Sequence, residues 1–128
     1  MALRAFVVED NVAIRNSLVE ALAELADTVT AGVAGSEKAA IAWLTDSANE
    51  WDVAIIDLIL EPGGSGFGVL GACRNRKPEQ KMVVLTGAAI LDVRKKCEAL
   101  GCDGVFDKSM ETDALIDYCQ ALAQSART

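Results

Sequence analysis

With 128 residues, 52% of them apolar and 24% charged, the chain can bury a full core without disulfides and is too apolar to be a disordered segment. Lys+Arg 12 against Asp+Glu 19 leaves a net charge of -7, which argues against direct binding to nucleic acid or an anionic membrane and suits a cation site or a basic partner. The absence of histidine excludes histidine metal sites, Ser–His or Cys–His nucleophilic pairs and a phosphohistidine on this chain.

Ala5 to Val8 reads as a buried strand. Asn11 is placed to cap the helix that follows, on which Ile14, Leu18, Leu22 and Leu25 recur on one face. Val29, Ala31 and Val33 alternate with Thr30 and Gly32, as in a less buried strand. Ser36 suits the N-cap of a second helix, with Glu37 in its first turn and Ile41 and Leu44 facing inward. Val53 to Ile56 is a third strand, followed by Asp57 and a glycine-rich loop. The next helix is predicted over Phe67 to Arg76, with Pro78 in the turn beyond it. Met82 to Leu85 is the fourth strand. Val93, Cys97 and Leu100 face inward on a helix that Gly101 ends. Val105-Phe106 is a short fifth strand, and Leu115, Cys119 and Leu122 line the last helix, with residues 124–128 expected to fray.

Trp43 and Trp51 read as packing or surface residues around the second helix. Cys73, Cys97, Cys102 and Cys119 form no CxxC pair and fall within or beside helical apolar patterns, as reduced packing thiols do. No secretory h-region and no membrane-length apolar run is present, so a cytoplasmic protein is expected.

Five β/α units in alternation call for a parallel sheet with helices on both faces. The expected fold is a flavodoxin-like (βα)5 three-layer sandwich of strand order 2-1-3-4-5. Residues 1–128 are read as one domain, with a core over about 3–123.

Sites in such sheets form at the carboxyl ends of the strands. Glu9-Asp10 follow the first strand, Asp57 the third, Thr86 with Gly87-Ala88-Ala89 the fourth, and Asp107-Lys108 the fifth. An ionised carboxylate withdrawn from water costs on the order of several kcal/mol unless compensated, so Asp57, at the end of an apolar run, is expected at a wet strand end among partners. Three neighbouring carboxylates repel one another, and one or more takes up a proton unless a cation intervenes. Ligands that are all oxygen suit a hard ion such as Mg²⁺. Lys108 can pair with Asp57. An ammonium, a divalent ion, a hydroxyl and free backbone N–H groups together suit a phosphoryl group, and a central carboxylate can be the nucleophile that accepts it.

VVEDN at 7 to 11, IIDLIL at 55 to 60, VVLTG at 83 to 87 and VFDKS at 105 to 109 carry a resemblance, over nearly the whole chain, to the receiver domain of two-component response regulators. The resemblance implies that Asp57 accepts a phosphoryl group from a sensor histidine kinase, a phosphotransfer protein or a small phosphodonor. It implies that Asp10 and Asp57 bind Mg²⁺ directly with the backbone carbonyl of Ile59, and that Glu9 holds a metal-bound water. Thr86 would hydrogen-bond the new phosphate and Lys108 would pair with it. Such a domain is a switch rather than an enzyme with turnover, although it catalyses part of its own phosphorylation and dephosphorylation. The face of the fourth helix, fifth strand and fifth helix (residues 91 to 123) would signal to a downstream protein, and is the surface through which a homodimer could form. No helix-turn-helix, cyclase or kinase segment follows the fifth helix. The chain reads either as a stand-alone receiver or as one cut from a larger regulator or hybrid kinase.

Four departures from the family pattern stand out. Pro62 comes one residue later than usual, and Gly63-Gly64-Ser65-Gly66 follows, so the loop after Asp57 is expected to be longer and looser. Val105 occupies the place of the usual switch aromatic, while Phe106 should point to the opposite face. Ser109 replaces a proline whose peptide is often cis, a form costing about 2.5–4 kcal/mol without proline. Ile59 and Ala88 stand where many relatives carry polar side chains, so slow autodephosphorylation is expected.

Other readings fare worse. A phosphatase of the haloacid dehalogenase type needs an aspartate two residues after the nucleophile, where Ile59 stands. In a flavodoxin, Glu9-Asp10-Asn11 would repel the cofactor phosphate. The serious alternative is a receiver-like module that binds proteins without phosphorylation.

Overall fold

The computed structural model describes residues 2–60 and 63–125. Strands and helices alternate as β1 (Leu3–Val8), α1 (Val12–Ala26), β2 (Thr28–Ala34), α2 (Glu37–Leu44), β3 (Val53–Ile56), α3 (Gly66–Ala72), β4 (Lys81–Thr86), α4 (Leu91–Ala99), β5 (Gly104–Asp107) and α5 (Thr112–Ser125). All strand pairs are parallel and the order is β2-β1-β3-β4-β5, the flavodoxin-like arrangement expected. The order reverses between β1 and β3, and this opens a crevice beyond their carboxyl ends.

The period-two alternation of the central strands divides the core. Phe6, Val8, Ala54, Ile56, Met82 and Val84 pack with α2, α3 and α4, whereas Ala5, Val7, Val53, Ile55, Val83 and Leu85 pack with α1 and α5. Burial of each large aliphatic side chain contributes roughly 1.5–3 kcal/mol. Caps set two helix starts as expected: the Asn11 and Ser36 side chains accept from the N–H groups of Ile14 and Ala39. Gly101, at φ 90, ends α4 in a Schellman motif, with Cys102 N–H on Cys97 O and Gly101 N–H on Glu98 O.

Several expected details differ. On α1 the buried positions are Leu18, Leu22 and Ala26, while Ile14 and Leu25 are exposed. Both lie toward one border of the apolar arc, at the two ends of the helix, and helical period alone does not show where cover stops. On β2 the valines face outward: Val29 and Val33 are exposed, and Thr28 and Ala34 are buried. The β1–β2 register slips between Ala5↔Thr30 and Phe6↔Gly32, leaving Ala31 unmatched as in a bulge, and this turns Gly32 and Ala34 toward α2. A Cβ at Gly32 would lie 3.0 Å from the Phe6 ring and 3.1 Å from Trp43, so any larger residue must push those rings back by a few tenths of an ångström. Those two rings stack with centroids 4.3 Å apart.

α3 stops at Ala72 rather than Arg76. The Arg76 guanidinium turns back to the carbonyls of Cys73, Gln80 and Gly101 and pairs with Asp103 at 2.8 Å, which draws the chain out of the helical path. β1, β4 and β5 extend one or two residues beyond their expected limits. Gln124 and Ser125 belong to α5 rather than to a frayed tail, and residues 126–128 lie outside the described residues. Trp51 is buried and donates to Leu44 O. Cys73, Cys97 and Cys119 are buried, Cys102 is half-buried, and none forms a disulfide. Burial pushes the Cys97 thiol up to about 11 and the Cys119 thiol up to about 12, as expected of inert packing groups. Among the described residues no helix is long and apolar enough to cross a membrane.

Gly66 is where the loop after β3 returns to the sheet. Its N–H donates to Leu58 O, and a Cβ would meet Asp57 O at 2.3 Å and Leu58 Cα at 2.9 Å. Gly71, in the same helix, has nothing within 4 Å of its Cβ position. Gly66→Ala is therefore expected to destabilise the fold by about 2–3 kcal/mol through overpacking against backbone, and Gly71→Ala to stabilise it by roughly 0.5–1 kcal/mol. Urea denaturation of the two variants checks both signs.

Candidate functional site

β1 and β3 are direct neighbours with Val8 opposite Ile56, so the residues that follow them, Glu9 and Asp57, leave the sheet side by side. Backbone bonds hold both in extension: Glu9 N–H donates to Ala34 O and Asp57 N–H to Val8 O. On the other side Thr86 pairs with Asp107, and Lys108 N–H donates to Thr86 O at 2.9 Å. The structure thus brings all of Glu9, Asp10, Asp57, Thr86 and Lys108 to the carboxyl rim.

The Lys108 ammonium sits 2.8 Å from Asp57 Oδ2 and 2.5 Å from Glu9 Oε1. Asp57 is only 8% exposed and Glu9 only 4%. Asp57 is therefore compensated by a partner more than by water, which corrects the picture of a wet strand end. The contact of Lys108 with Glu9 is also beyond the sequence reading. It depends on the lysine stem reaching over β4 from the edge strand β5 to the crevice at β1 and β3.

Carboxylate oxygens of Glu9, Asp10 and Asp57 all lie within 4.8 Å of one another. Desolvation raises the Glu9 pKa above its ordinary value, partly offset by the hydrogen bond from Lys108. Burial works against the Lys108 ammonium, but its hydrogen bonds to Asp57 and Glu9 outweigh it and the lysine pKa is raised. The single ammonium leaves the three carboxylates under-compensated when all are ionised. Their all-oxygen donor set fits a hard cation, so this acidic cluster could hold a metal ion.

The rest of the rim is orderly. Thr86 is fully buried, and its Oγ1 accepts from Ala88 N–H at 3.3 Å. Ile59 N–H donates to Asp57 Oδ1 at 3.3 Å, its side chain is 59% exposed, and it forms an isolated antiparallel bridge with Ser65. The expectation about Pro62 lies outside the described residues. Ile14, away from the core, lines with Leu18, Leu85, Lys108 and Thr112 a hollow of about 540 Å³ beside the lysine.

A second network escaped the sequence reading. Arg94 on α4 donates to Ala89 O (3.1 Å) and Val105 O (2.8 Å) and pairs with Glu111 at 2.6 Å. The same Glu111 oxygen accepts from Asp107 N–H. Arg94 thereby ties the loop after Thr86 to the segment that carries Lys108. The hydrogen bond from Arg94 holds the Glu111 carboxyl below its usual range, and backbone N–H groups of Ser109 and Met110 do the same for Asp107. An arginine at i+8 from Thr86 carries no local signal, since two of its partners are backbone carbonyls and the third, Glu111, lies 17 positions away. Val105 packs on the α4 side of the sheet and Phe106 on the α5 side, tilted against Tyr118 with centroids 5.9 Å apart, so the two residues face oppositely as expected.

The sequence profile of the response regulator receiver domain family matches residues 5–120. The chain is 34% identical over 103 residues to the photosynthetic apparatus regulatory protein RegA of Rhodobacter capsulatus, covering 77% of this chain and 50% of that protein. It thus spans about half the length of the curated relative it matches. Among solved structures, the receiver domain of the Francisella response regulator 1452 superposes with a TM-score of 0.82 at 21% identity, covering 97% of this chain and 98% of that one. The phosphorylated cyanobacterial phytochrome response regulator RcpA superposes with a TM-score of 0.77 at 23% identity, covering 95% and 91%. At these identities the two structures speak for the fold.

The shared ammonium sets the pH response of the rim. Because its folded pKa is raised, the stabilisation from Lys108 is fully present below the ordinary lysine pKa and is lost as alkaline pH rises through the folded value. Lys108→Met leaves Glu9 and Asp57 facing each other without a cation. In metal-free buffer at pH 7 this variant is expected to lose about 1–3 kcal/mol, less than a fully buried pair would because the lysine is partly exposed. The loss is expected to be smaller at pH 5, because the raised Glu9 pKa brings its protonation closer to that range. Thermal unfolding at the two pH values checks the sign.

Proposed function

The chain belongs to the response regulator receiver domain family, and from that premise we propose that it is a phosphorylation switch in which Asp57 accepts a phosphoryl group. The observation that carries the reading is the Lys108 ammonium bonded at once to Asp57 and Glu9, in a crevice that Asp10 also enters. In the transfer, an Asp57 oxygen forms a bond to phosphorus while the P–N bond of a phosphohistidine on a partner kinase or phosphotransfer protein breaks. The electron pair stays on the imidazole nitrogen, which is then protonated. The product on Asp57 is an acyl phosphate.

We assign the metal as Mg²⁺, held by Asp10, Asp57 and the Ile59 carbonyl, with Glu9 on a metal-bound water. Bound there, Mg²⁺ would supply positive charge against the phosphoryl oxygens, so that the carboxylates of Asp10 and Asp57 could lie close to them. Lys108, freed from Asp57, pairs with a phosphoryl oxygen, and the Thr86 hydroxyl exchanges its Ala88 partner for another. Gly87 and Ala88 leave backbone N–H groups accessible to the anion. Arg94 links the Ala89 carbonyl to β5 and Glu111, so movement of the loop after Thr86 is felt by the α4–β5–α5 face. That face signals to a downstream protein or a second copy, in the cytoplasm, and the domain acts as a switch without turnover of a separate substrate.

Two predictions test this. Incubation with Mg²⁺ and acetyl phosphate or phosphoramidate is expected to add about 80 Da, one phosphoryl group. The gain is absent with EDTA and in Asp57→Asn. No gain with either donor shifts the weight to a module that binds proteins without phosphorylation. The second concerns lifetime. Ile59 and Ala88 cannot orient an attacking water, so the phosphorylated form is expected to last longer than about a minute at 25 °C, and Ile59→Asn to shorten that by up to about tenfold, a small part of what general-base assistance can supply. Loss of the mass gain over time, followed after removal of the donor, measures both.

A further inference from the structure

The loop between Asp57 and α3 is tied to a residue from another element. Ser65 N–H donates to Glu37 Oε1 at 2.7 Å, across 28 positions of sequence. Two glycines leave room for the Glu37 side chain. Gly64 adopts φ +115, and a Cβ on it would lie 2.9 Å from Glu37 Cβ. A Cβ on Gly68 would lie 2.3 Å from Glu37 Oε2. Glu37 is itself fixed in the first turn of α2, directly after the Ser36 cap.

Ser65 in turn serves the site. It bridges to Ile59, whose N–H donates to Asp57 Oδ1, and its hydroxyl accepts from Phe67 N–H at the start of α3. We propose that Glu37 is a positioning residue for the metal-binding side of the site, anchoring Ser65 and, through the Ser65–Ile59 bridge, fixing the backbone of Ile59 beside Asp57. The inference rests on the reading of Asp10, Asp57 and Ile59 as the metal-binding set. Loss of an outer-shell group that orients a ligand typically costs about 10–100-fold in metal affinity. An acceptor at this point, rather than a negative charge, is what the geometry requires. A glutamine therefore serves where an alanine does not.

The test is Mg²⁺ affinity by calorimetry together with amide hydrogen exchange of Ser65 by NMR, on wild type, Glu37→Ala, Glu37→Gln, Gly68→Ala and Lys38→Ala. Glu37→Ala is expected to weaken Mg²⁺ binding roughly tenfold and to speed exchange at Ser65. Glu37→Gln restores most of both, and Lys38→Ala changes neither. Gly68→Ala pushes the carboxylate aside from its other edge and is expected to match Glu37→Ala, which keeps the question open to measurement if Glu37→Ala fails to fold. Wild-type affinity in both Glu37→Ala and Gly68→Ala overturns the inference alone. Equal losses in Glu37→Gln and Glu37→Ala overturn it too, by making charge rather than positioning the cause. Wild type that binds no Mg²⁺ overturns the metal-dependent reading of the site, and this inference with it.

Discussion

One ammonium serves two buried carboxylates, and the arrangement of this molecule is organised around that shortage of positive charge. Lys108 lies within 2.8 Å of Asp57 and 2.5 Å of Glu9, and Asp10 brings a third carboxylate into the same crevice. Withdrawn from water, this group of charges is tolerable only with a further cation, a proton, or a rearranged lysine. A site held in that balance responds to any ligand that alters its charge. A phosphoryl group and a divalent ion do so in opposite directions.

The sheet delivers the charges. β1 and β3 are adjacent because the order reverses between them, so two acidic strand ends become neighbours although 48 positions separate Glu9 from Asp57. Around them the backbone is packed too closely for ordinary side chains. Gly66 lies against the Asp57 carbonyl, and Gly64 and Gly68 lie against Glu37. At its described end, the glycine-rich loop is held at Ser65 by Glu37 and at Gly66 by Leu58. Gly64 and Gly66 serve close approach, whereas Gly63 has open space around its Cβ position.

The opposite wall of the site is tied together differently. With Val105 where the family usually has an aromatic, Phe106 turns to the α5 side and packs against Tyr118. Arg94 joins the carbonyls of Ala89 and Val105 to the Glu111 carboxylate. The loop after Thr86 and the segment carrying Lys108 are thus coupled by a guanidinium. The guanidinium's planar fork of donors fixes the geometry of these bonds.

The alternation of apolar runs, the helix caps at Asn11 and Ser36, the stop at Gly101 and the polar residues after four strands all speak through local pattern. The parallel (βα)5 alternation and the polar residues of the rim are legible in those patterns, and the strand order follows as the usual one for five such units. These signals are local because period, capping and turn chemistry act within a few residues. The end of α3 at Ala72, the outward-facing valines of β2, the sharing of Lys108 by Glu9, the Arg94 network and the hold of Glu37 on Ser65 were decided only by the tertiary structure. Each depends on which distant backbone group, bulge or side-chain tip comes within about 3 Å of another, and contacts between residues far apart in sequence leave no periodic trace in it.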